Sequence, residues 1–306
     1  VGPVRTGKST FIKRFMDLFV IPNIEDYYKK ERTKDELPQS AAGKTIMTTE
    51  PKFVPNEAIE ITLDNNANMK VRLVDCVGYL VDGAMGHLEE NQPRMVSTPW
   101  FDNPIPFEEA AELGTKKVIQ DHSTIGLLIT TDGTITEIPR ENYIKAEERV
   151  VEELKKMNKP FVIVLNTTKP YSPDTQELKK ELEEKYNVPV LIVNCLQMQL
   201  EDIKRILETI LFEFPIVEIK INLPKWFEEL DDDSWLKKEI YEKLREYAKR
   251  IEKIRHINEC LDTIKACDHI GRCDIERINL GDGKSEISLS FKEGLLFKII
   301  EEATGF

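Results

Sequence analysis

The feature that most constrains this chain is a glycine-bounded segment at its beginning. Two glycines enclose four residues and are followed by lysine and serine, a spacing typical of loops that bind phosphate. An apolar face at helical spacing follows over residues 11–20. The segment and the residue after it consist of Gly2, Pro3, Val4, Arg5, Thr6, Gly7, Lys8, Ser9 and Thr10. The pattern therefore predicts a loop and a helix that bind the phosphates of a nucleotide.

Each residue type in this loop has a physical role. Glycines allow successive backbone N–H groups to face an anion, and the first helical turn adds the positive end of its dipole. The ammonium of Lys8 is expected to reach the β- and γ-phosphates. The hydroxyl of Ser9 is a hard oxygen ligand suited to Mg²⁺, which bridges the same phosphates. We therefore expect residues 2–10 to bind nucleotide, with Ser9 also on the metal.

Composition limits the partners that the chain is expected to have. Its 306 residues include 43 Lys and Arg against 55 Asp and Glu, a formal net charge of −12. This charge disfavours nonspecific binding to nucleic acid and to anionic lipid. No apolar run approaches the ~20 residues of a membrane span. Five thinly spread cysteines favour a reduced, cytosolic compartment.

Residues 39–51 are small and rich in hydroxyl groups. In a nucleotide switch, a threonine in such a segment can give its hydroxyl to Mg²⁺ and its N–H to the γ-phosphate. Thr48 and Thr49 are the candidates, and Thr49 is assigned to the metal. The alternative is that two threonines entering a strand reflect their β-propensity. Spacing alone does not choose between these interpretations.

A further candidate follows the apolar strand pattern of residues 71–74, which leads into an Asp-x-x-Gly sequence formed by Asp75 and Gly78. Asp75 is placed to hold Mg²⁺ through water, and Gly78 can turn its N–H toward the γ-phosphate. The motif is common by itself and gains specificity behind a phosphate loop. Tyr79 stands where a glutamine often orients the attacking water, so slow hydrolysis is expected.

Alternating strand and helix patterns predict an α/β fold for residues 1–214, a P-loop hydrolase domain with three layers and a mostly parallel sheet. Ligands of such sheets lie at the carboxyl ends of the strands, where Asn166 also falls. Residues 215–306 are expected to form a smaller α+β middle domain, which looks truncated. Because only Val1 precedes Gly2, we also expect the chain to be a fragment lacking its first strand.

Three stretches carry more specific structural expectations. Residues 21–38 are charged and without a clear period, which predicts a mobile loop. Residues 79–123 form a long connection rich in proline and aromatic residues, which is expected to act as an ordered lid or contact surface. Residues 235–264 carry a continuous apolar stripe, which predicts one long helix.

The expected base-reading segment is Asn166, Thr167, Thr168 and Lys169. GTPases of the translation-factor class carry Asn-Lys-x-Asp there, and the aspartate accepts hydrogen bonds that guanine can donate and adenine cannot. With Lys169 in that place, the acceptor has become a donor. Adenine is therefore at least as probable a base as guanine.

Residues 2–10, 45–58, 71–79 and 95–119 resemble the stage IV sporulation protein A family of endospore-forming bacteria. The resemblance implies a GTPase-like fold that hydrolyses ATP with Mg²⁺. It implies that Lys8 is the phosphate-loop lysine, Asp75 the Mg²⁺-linked acid, and Thr48 and Thr49 the sensor threonines needed for hydrolysis. Hydrolysis in this family drives self-assembly into a static polymer that forms the basement layer of the spore coat.

The same resemblance implies partners and a location. The partners are further copies of the chain, a small amphipathic membrane-binding peptide and a coat-encasement protein. The location is the mother-cell cytoplasm at the forespore outer membrane, reached indirectly through the peptide. Two other functions remain open: a GTPase of the ribosome-assembly kind, and a scaffold in which nucleotide is a static ligand. Whether Arg5 or Lys44 stabilises transition-state charge is also open.

Overall fold

The computed structural model describes residues 1–38, 51–62, 68–84, 88–89, 92–265, 267–279 and 282–304. Thr48, Thr49 and Lys44 lie outside these residues. The chain divides into two compact units, Val1–Thr209 and Ile210–Phe306. No helix of the described residues is long and apolar enough to cross a membrane.

The helices up to residue 212 are α1 to α6. Their bounds are Lys8–Phe15, Tyr27–Asp35, Phe107–Lys117, Ile144–Lys156, Pro173–Tyr186 and Leu200–Phe212. Two of them continue as a turn of π-helix, α1 over Met16–Val20 and α3 over Val118–His122. A 3₁₀ turn over Arg140–Tyr143 leads into α4, and another over Ile21–Asn23 follows the π-helical turn after α1.

The strands of the same part are β1 to β9. Their bounds are Lys52–Thr62, Asn68–Asp75, Leu88–Glu89, Gln92–Pro93, Met95–Thr98, Phe101–Pro106, Gly126–Thr131, Phe161–Asn166 and Val190–Val193. Strands β7, β8 and β9 form a three-stranded parallel sheet with β8 in the centre. The pairs β1–β2, β3–β4 and β5–β6 are antiparallel. The unit is therefore a mixed α/β structure that contains a parallel sheet.

The central strand β8 shows why the parallel sheet forms. All six of its residues are buried, as expected when helices cover both faces of a parallel sheet. Helix α4 turns Val150 and Leu154 into the same core as Phe161 of β8, and all three side chains are fully or almost fully buried. The carboxyl ends of β7 and β8 lie side by side, because Thr131 pairs with Asn166.

The mobile loop predicted over residues 21–38 is wrong. Residues 21–38 contain the helix α2, whose start is capped by Asp26 through a 3.0 Å hydrogen bond from the Lys29 amide. Residues 79–123, which the sequence predicts as an ordered lid or contact surface, contain the strand pairs β3–β4 and β5–β6 and the helix α3 with its π-helical turn. Helix α3 is fixed by burial of Phe107, Ala110 and Ala111, a short apolar face that the surrounding prolines obscure in the sequence.

The second unit is an α+β structure. Its elements are β10 (Glu218–Asn222), α7 (Lys225–Glu228), α8 (Trp235–Ala248), α9 (Arg255–Lys265), β11 (Ile270–Asn279), β12 (Lys284–Phe291) and α10 (Leu295–Thr304). Strand β12 lies in the centre of the sheet, parallel to β10 and antiparallel to β11. Helices α8 and α9 pack on this sheet through Leu236, Ile240 and Ile257, which are buried.

The single long helix predicted over residues 235–264 is also wrong. The chain leaves the helix after α8 because residues 252–254 pair with a neighbouring backbone segment. The Ile216 amide donates to the Glu252 carbonyl and the Ile254 amide donates to the Phe214 carbonyl, each at 3.0 Å. These long-range hydrogen bonds replace the helical ones, and no local sequence pattern predicts them.

Candidate nucleotide site

The phosphate loop, residues 2–9, turns into helix α1 at a glycine whose conformation other residues rarely adopt. Gly7 has a φ of +91° and forms the N-terminal cap of α1. A Cβ atom at this position would lie 2.3 Å from Nδ2 of Asn166. Glycine is therefore required here both by its backbone angle and by the close approach of β8.

The loop is braced by hydrogen bonds onto one of its own carbonyl groups. The Thr6 hydroxyl donates to the Pro3 carbonyl at 3.0 Å, and the Lys8 ammonium donates to the same oxygen at 2.5 Å. Lys8 is only 7% exposed. Burial lowers the pKa of the Lys8 ammonium, and the neighbouring Cys76 and Asp75 act in the opposite direction. An anionic ligand beside Lys8 would favour its charged form.

Two neighbouring segments hold the loop from outside. The Val4 amide donates to the Tyr79 carbonyl at 2.9 Å, and the Ile129 amide of β7 donates to the Val1 carbonyl at 3.0 Å. Pro3 forms a parallel bridge with Tyr79. The loop therefore lies between β7 and the chain that leaves β2.

Gly78 lies against the loop in a conformation that favours glycine. Its φ is +93°, and a Cβ atom there would lie 2.1 Å from the Gly2 carbonyl oxygen and 2.8 Å from Nζ of Lys8. Its amide donates to the hydroxyl of Thr115 on α3 at 3.2 Å. The Asp-x-x-Gly segment is therefore packed directly on the phosphate loop and tied to α3.

Ser9 and Asp75 form the oxygen pair that the sequence assigns to a metal. The Ser9 hydroxyl donates to Oδ2 of Asp75 at 2.7 Å. The other carboxylate oxygen, Oδ1, is buried and has no hydrogen-bond partner among the described residues. Proteins usually hold Mg²⁺ through one or two such side chains, and the other ligands are water and substrate phosphate. The donor set fits Mg²⁺ bound together with a nucleotide.

Asn166 connects the loop to two strand ends. Its Nδ2 donates to the Thr6 carbonyl at 3.0 Å, and its Oδ1 accepts from the Cys195 amide at 3.0 Å. The side chain is 4% exposed, so both of its polar ends are satisfied inside the protein. Lys169 lies three residues further along and is exposed at the same edge of the sheet.

Two family models together match the whole chain. Residues 1–215 match the family model of the stage IV sporulation protein A ATPase domain, and residues 216–306 match the model of the middle domain. The chain belongs to the stage IV sporulation protein A family. Relatives from Bacillus anthracis, Clostridioides difficile and Bacillus subtilis are 51%, 50% and 49% identical to it over the whole chain. The chain spans 62% of the length of each relative.

The resemblance to the stage IV sporulation protein A family is thus confirmed over the full chain. The structure brings together most of the candidate residues: the phosphate loop, Asp75 and Gly78 are in contact, and Asn166 joins them from β8. Arg5 has a φ of +61° within the loop, and Thr10 lies in the first turn of α1.

Tyr79 does not take the place of a water-orienting glutamine. Its side chain is 2% exposed, and its hydroxyl donates to Glu153 of α4 at 2.5 Å. The Arg149 guanidinium lies 4.5 Å from the ring centroid and forms an ion pair with Glu112. Burial and Glu153 raise the pKa of Tyr79. The hydroxyl is therefore neutral and engaged away from the phosphate loop.

Sequence reasoning missed two residues at this site. Thr115 lies in the long stretch for which the sequence indicates no helix, and only its place on α3 shows that its hydroxyl accepts from the Gly78 amide. Asp132 directly follows the last residue of β7 and accepts several hydrogen bonds there. Its signal is an aspartate after an apolar strand, the same pattern that identified Asp75.

Proposed function

We propose that this chain binds ATP and Mg²⁺ at the phosphate loop and hydrolyses ATP to ADP and phosphate. The observation that carries the proposal is the contact of Ser9 with Asp75 beside a buried lysine, Lys8, with one Asp75 oxygen left without a partner. This is the combination of cation, hydroxyl and carboxylate that phosphoryl transfer uses. A three-layer P-loop hydrolase fold is part of the proposal, supported by the parallel sheet β7–β9.

The residues of the site would act mainly by binding and orienting. Backbone N–H groups of the phosphate loop and the Lys8 ammonium hold the phosphates and stabilise charge that develops on them. Mg²⁺, when bound, supplies positive charge to the β- and γ-phosphates. Ser9 and Asp75 hold the metal, with Thr49 as a further ligand, and Thr48 and Thr49 sense the γ-phosphate. The Gly78 amide, which here donates to the Thr115 hydroxyl, would have to leave that partner to donate to the γ-phosphate.

Two observations favour ATP over GTP. Lys169 stands where guanine-reading proteins place an aspartate, and its ammonium cannot accept the guanine N–H groups. The matching family model is named for an ATPase domain. Lys169 makes adenine at least as probable a base as guanine, and the name of the family model supports ATP.

We propose further that hydrolysis is coupled to self-assembly into a static polymer that forms the basement layer of the spore coat. The family name supports a role in sporulation. A small amphipathic membrane-binding peptide and a coat-encasement protein are the proposed partners. The proposed location is the mother-cell side of the forespore outer membrane.

Phosphate release by the full-length protein, measured with ATP and with GTP alongside sedimentation of polymer, tests this function. We expect slow turnover of ATP, little turnover of GTP, and polymer only where ATP is hydrolysed. Lys8→Ala should abolish nucleotide binding, whereas Lys116→Ala, at an exposed position on α3, should not. Preferred turnover of GTP, or polymer that forms without turnover, would contradict the proposal.

The metal and the sensor residues need separate variants. Asp75→Asn preserves shape and removes the charge, so the Kd for ATP should lose its dependence on Mg²⁺. Thr48→Ala with Thr49→Ala should bind ATP with normal affinity and fail to hydrolyse it. Normal turnover in the double threonine variant would remove both residues from the mechanism.

A further inference from the structure

We propose that Asp132 is a positioning residue that holds the base segment, defined as residues 167–169, and so maintains selectivity for the purine base. This inference rests on the proposed nucleotide-binding function and assigns a residue that the motifs of the sequence do not include. Four hydrogen bonds from the described residues converge on the Asp132 carboxylate.

Sheet topology brings Asp132 next to the base segment. Strands β7 and β8 are parallel neighbours, and their last residues, Thr131 and Asn166, are paired. Asp132 and Thr167 each follow these ends by one residue. Although the two are 35 positions apart in the chain, Thr167 Oγ1 donates to Asp132 Oδ2 at 2.5 Å.

The carboxylate accepts hydrogen bonds on both oxygens. Oδ2 accepts from the hydroxyls of Thr167 and of Thr175, the latter at 3.2 Å from the first turn of α5. Oδ1 accepts from the backbone amide of Thr134 at 3.0 Å and from its hydroxyl at 2.6 Å. Asp132 therefore joins the loop after β7, the end of β8 and the start of α5.

A second layer of hydrogen bonds extends from these hydroxyls to the base segment. The Thr134 hydroxyl accepts from the Thr168 amide at 3.0 Å, and the Thr167 hydroxyl accepts from the Lys169 amide at 2.9 Å. Every residue of the base segment is thus bound to Asp132 directly or through one threonine. The path of the backbone that carries Lys169 depends on this network.

The direction of the hydroxyl protons shows why a carboxylate is needed. Thr134 and Thr167 each have one hydroxyl proton, and each donates it to Asp132. Their oxygens lie 3.2 Å apart, but neither has a second proton for that contact. An asparagine in place of Asp132 would present an amide N–H₂ to hydroxyls that must donate. The network would then lose or reverse at least one hydrogen bond.

Burial adds to the effect. Thr167 and Thr175 are 0% and 3% exposed, so water does not readily replace a lost partner. Lys169 itself is exposed, and no hydrogen bond or ion pair joins its ammonium to the residues that the structure describes. Its backbone is fixed while its side chain is available to a ligand, as a base-reading residue requires.

The test compares the Kd of wild type and Asp132→Asn for ATP, GTP and inorganic triphosphate, by displacement of a fluorescent ADP. For Asp132→Asn we expect roughly tenfold weaker ATP binding, the effect of about one hydrogen bond, and a lower ratio of ATP to GTP affinity. Affinity for inorganic triphosphate should be unchanged, because it has no base. In steady-state kinetics the effect should appear in the KM for ATP more than in kcat.

Thr167→Val and Thr167→Ser form a matched pair that separates positioning from folding. Valine removes the hydroxyl with little change of shape and should reproduce the Asp132→Asn effect, whereas serine should restore selectivity. Equal losses for ATP and inorganic triphosphate, or unchanged selectivity in a folded Asp132→Asn protein, would overturn the inference. Failure of the wild type to bind either nucleotide would instead refute the proposed function, and this inference with it.

Discussion

Replacement of Asn166 by alanine should lower the stability of the protein and remove a hydrogen bond that holds its phosphate loop. The side chain donates to the Thr6 carbonyl and accepts from the Cys195 amide, both at 3.0 Å, and is 4% exposed. Each buried polar group left without a partner costs about 1–3 kcal/mol, so the two lost bonds should lower the free energy of unfolding by about 2–6 kcal/mol. The corresponding fall in Tm is roughly 4–24 °C.

Differential scanning calorimetry of Asn166→Ala measures this loss, and Asn142→Ala is its control. Asn142 makes one 2.8 Å hydrogen bond to the Asp82 carbonyl in a solvent-accessible position. Its removal should cost less than about 1 kcal/mol, because water can take over the exposed partner. Equal losses in the two variants would refute the claim that burial sets the cost at Asn166.

Asn166→Asp tests whether the side chain at this position lies close enough to the phosphates to affect ATP binding. The carboxylate still accepts from the Cys195 amide but cannot donate to the Thr6 carbonyl, and it brings a negative charge next to the phosphate loop. The Kd for ATP should rise roughly tenfold or more through like-charge repulsion. Normal ATP binding by Asn166→Asp would mean that the phosphates lie away from this end of the loop.

Three further predictions concern buried charges. Because burial lowers the pKa of Lys8 and phosphate would raise it, ADP affinity should fall as pH rises through that lowered pKa. Calorimetry in two buffers of different ionisation enthalpy, repeated over a series of pH values, should detect proton uptake on binding. Enthalpies that do not depend on the buffer at any pH would contradict this. Glu147→Ala leaves Arg140 without its ion pair beside the core and should cost about 3–5 kcal/mol in urea unfolding. Arg140→Met with Glu147→Leu should recover only part of this loss, because the hydroxyls of Thr130 and Tyr186 also donate to Glu147. In the second unit, the Lys253 ammonium lies 2.6 Å from the Glu213 carboxylate. Glu213→Ala leaves this ammonium without its ion pair and should lower the free energy of unfolding by a similar amount. An unchanged midpoint of urea unfolding would show that the pair is solvated.

Elements with local signals could be predicted from the sequence. Ser172 and Pro173 start α5, and the left-handed Asn187 ends it, so both of its boundaries follow from residue preferences. The phosphate loop and α1 are also local, because their glycines and lysine act within a few residues of one another. Asp75 could be assigned because it directly follows a strand pattern.

Features that depend on distant partners could not be predicted in this way. The end of α8 is decided by backbone pairing of residues 252–254 with residues 214–216, about 40 positions away. No proline or glycine marks the break, so the apolar stripe continues through it and indicates a helix. Helix α2 has the opposite problem, since it buries only Thr33 and lacks an apolar face, yet its Asp26 cap and charged side chains sustain it.

Asp132 has a local sequence signal, but its role depends on a distant partner and could not be predicted from that signal. It has the local context of Asp75, an aspartate after an apolar strand, but its role depends on Thr167, which only the parallel pairing of β7 and β8 brings near. Asp75 meets a hydroxyl that is also near a cation, Lys8, whereas Asp132 meets hydroxyls and amides only. The first environment suits a metal and phosphates, and the second suits positioning of a backbone segment. Two similar sequence patterns thus differ in chemistry because of the side chains that the fold places opposite each carboxylate.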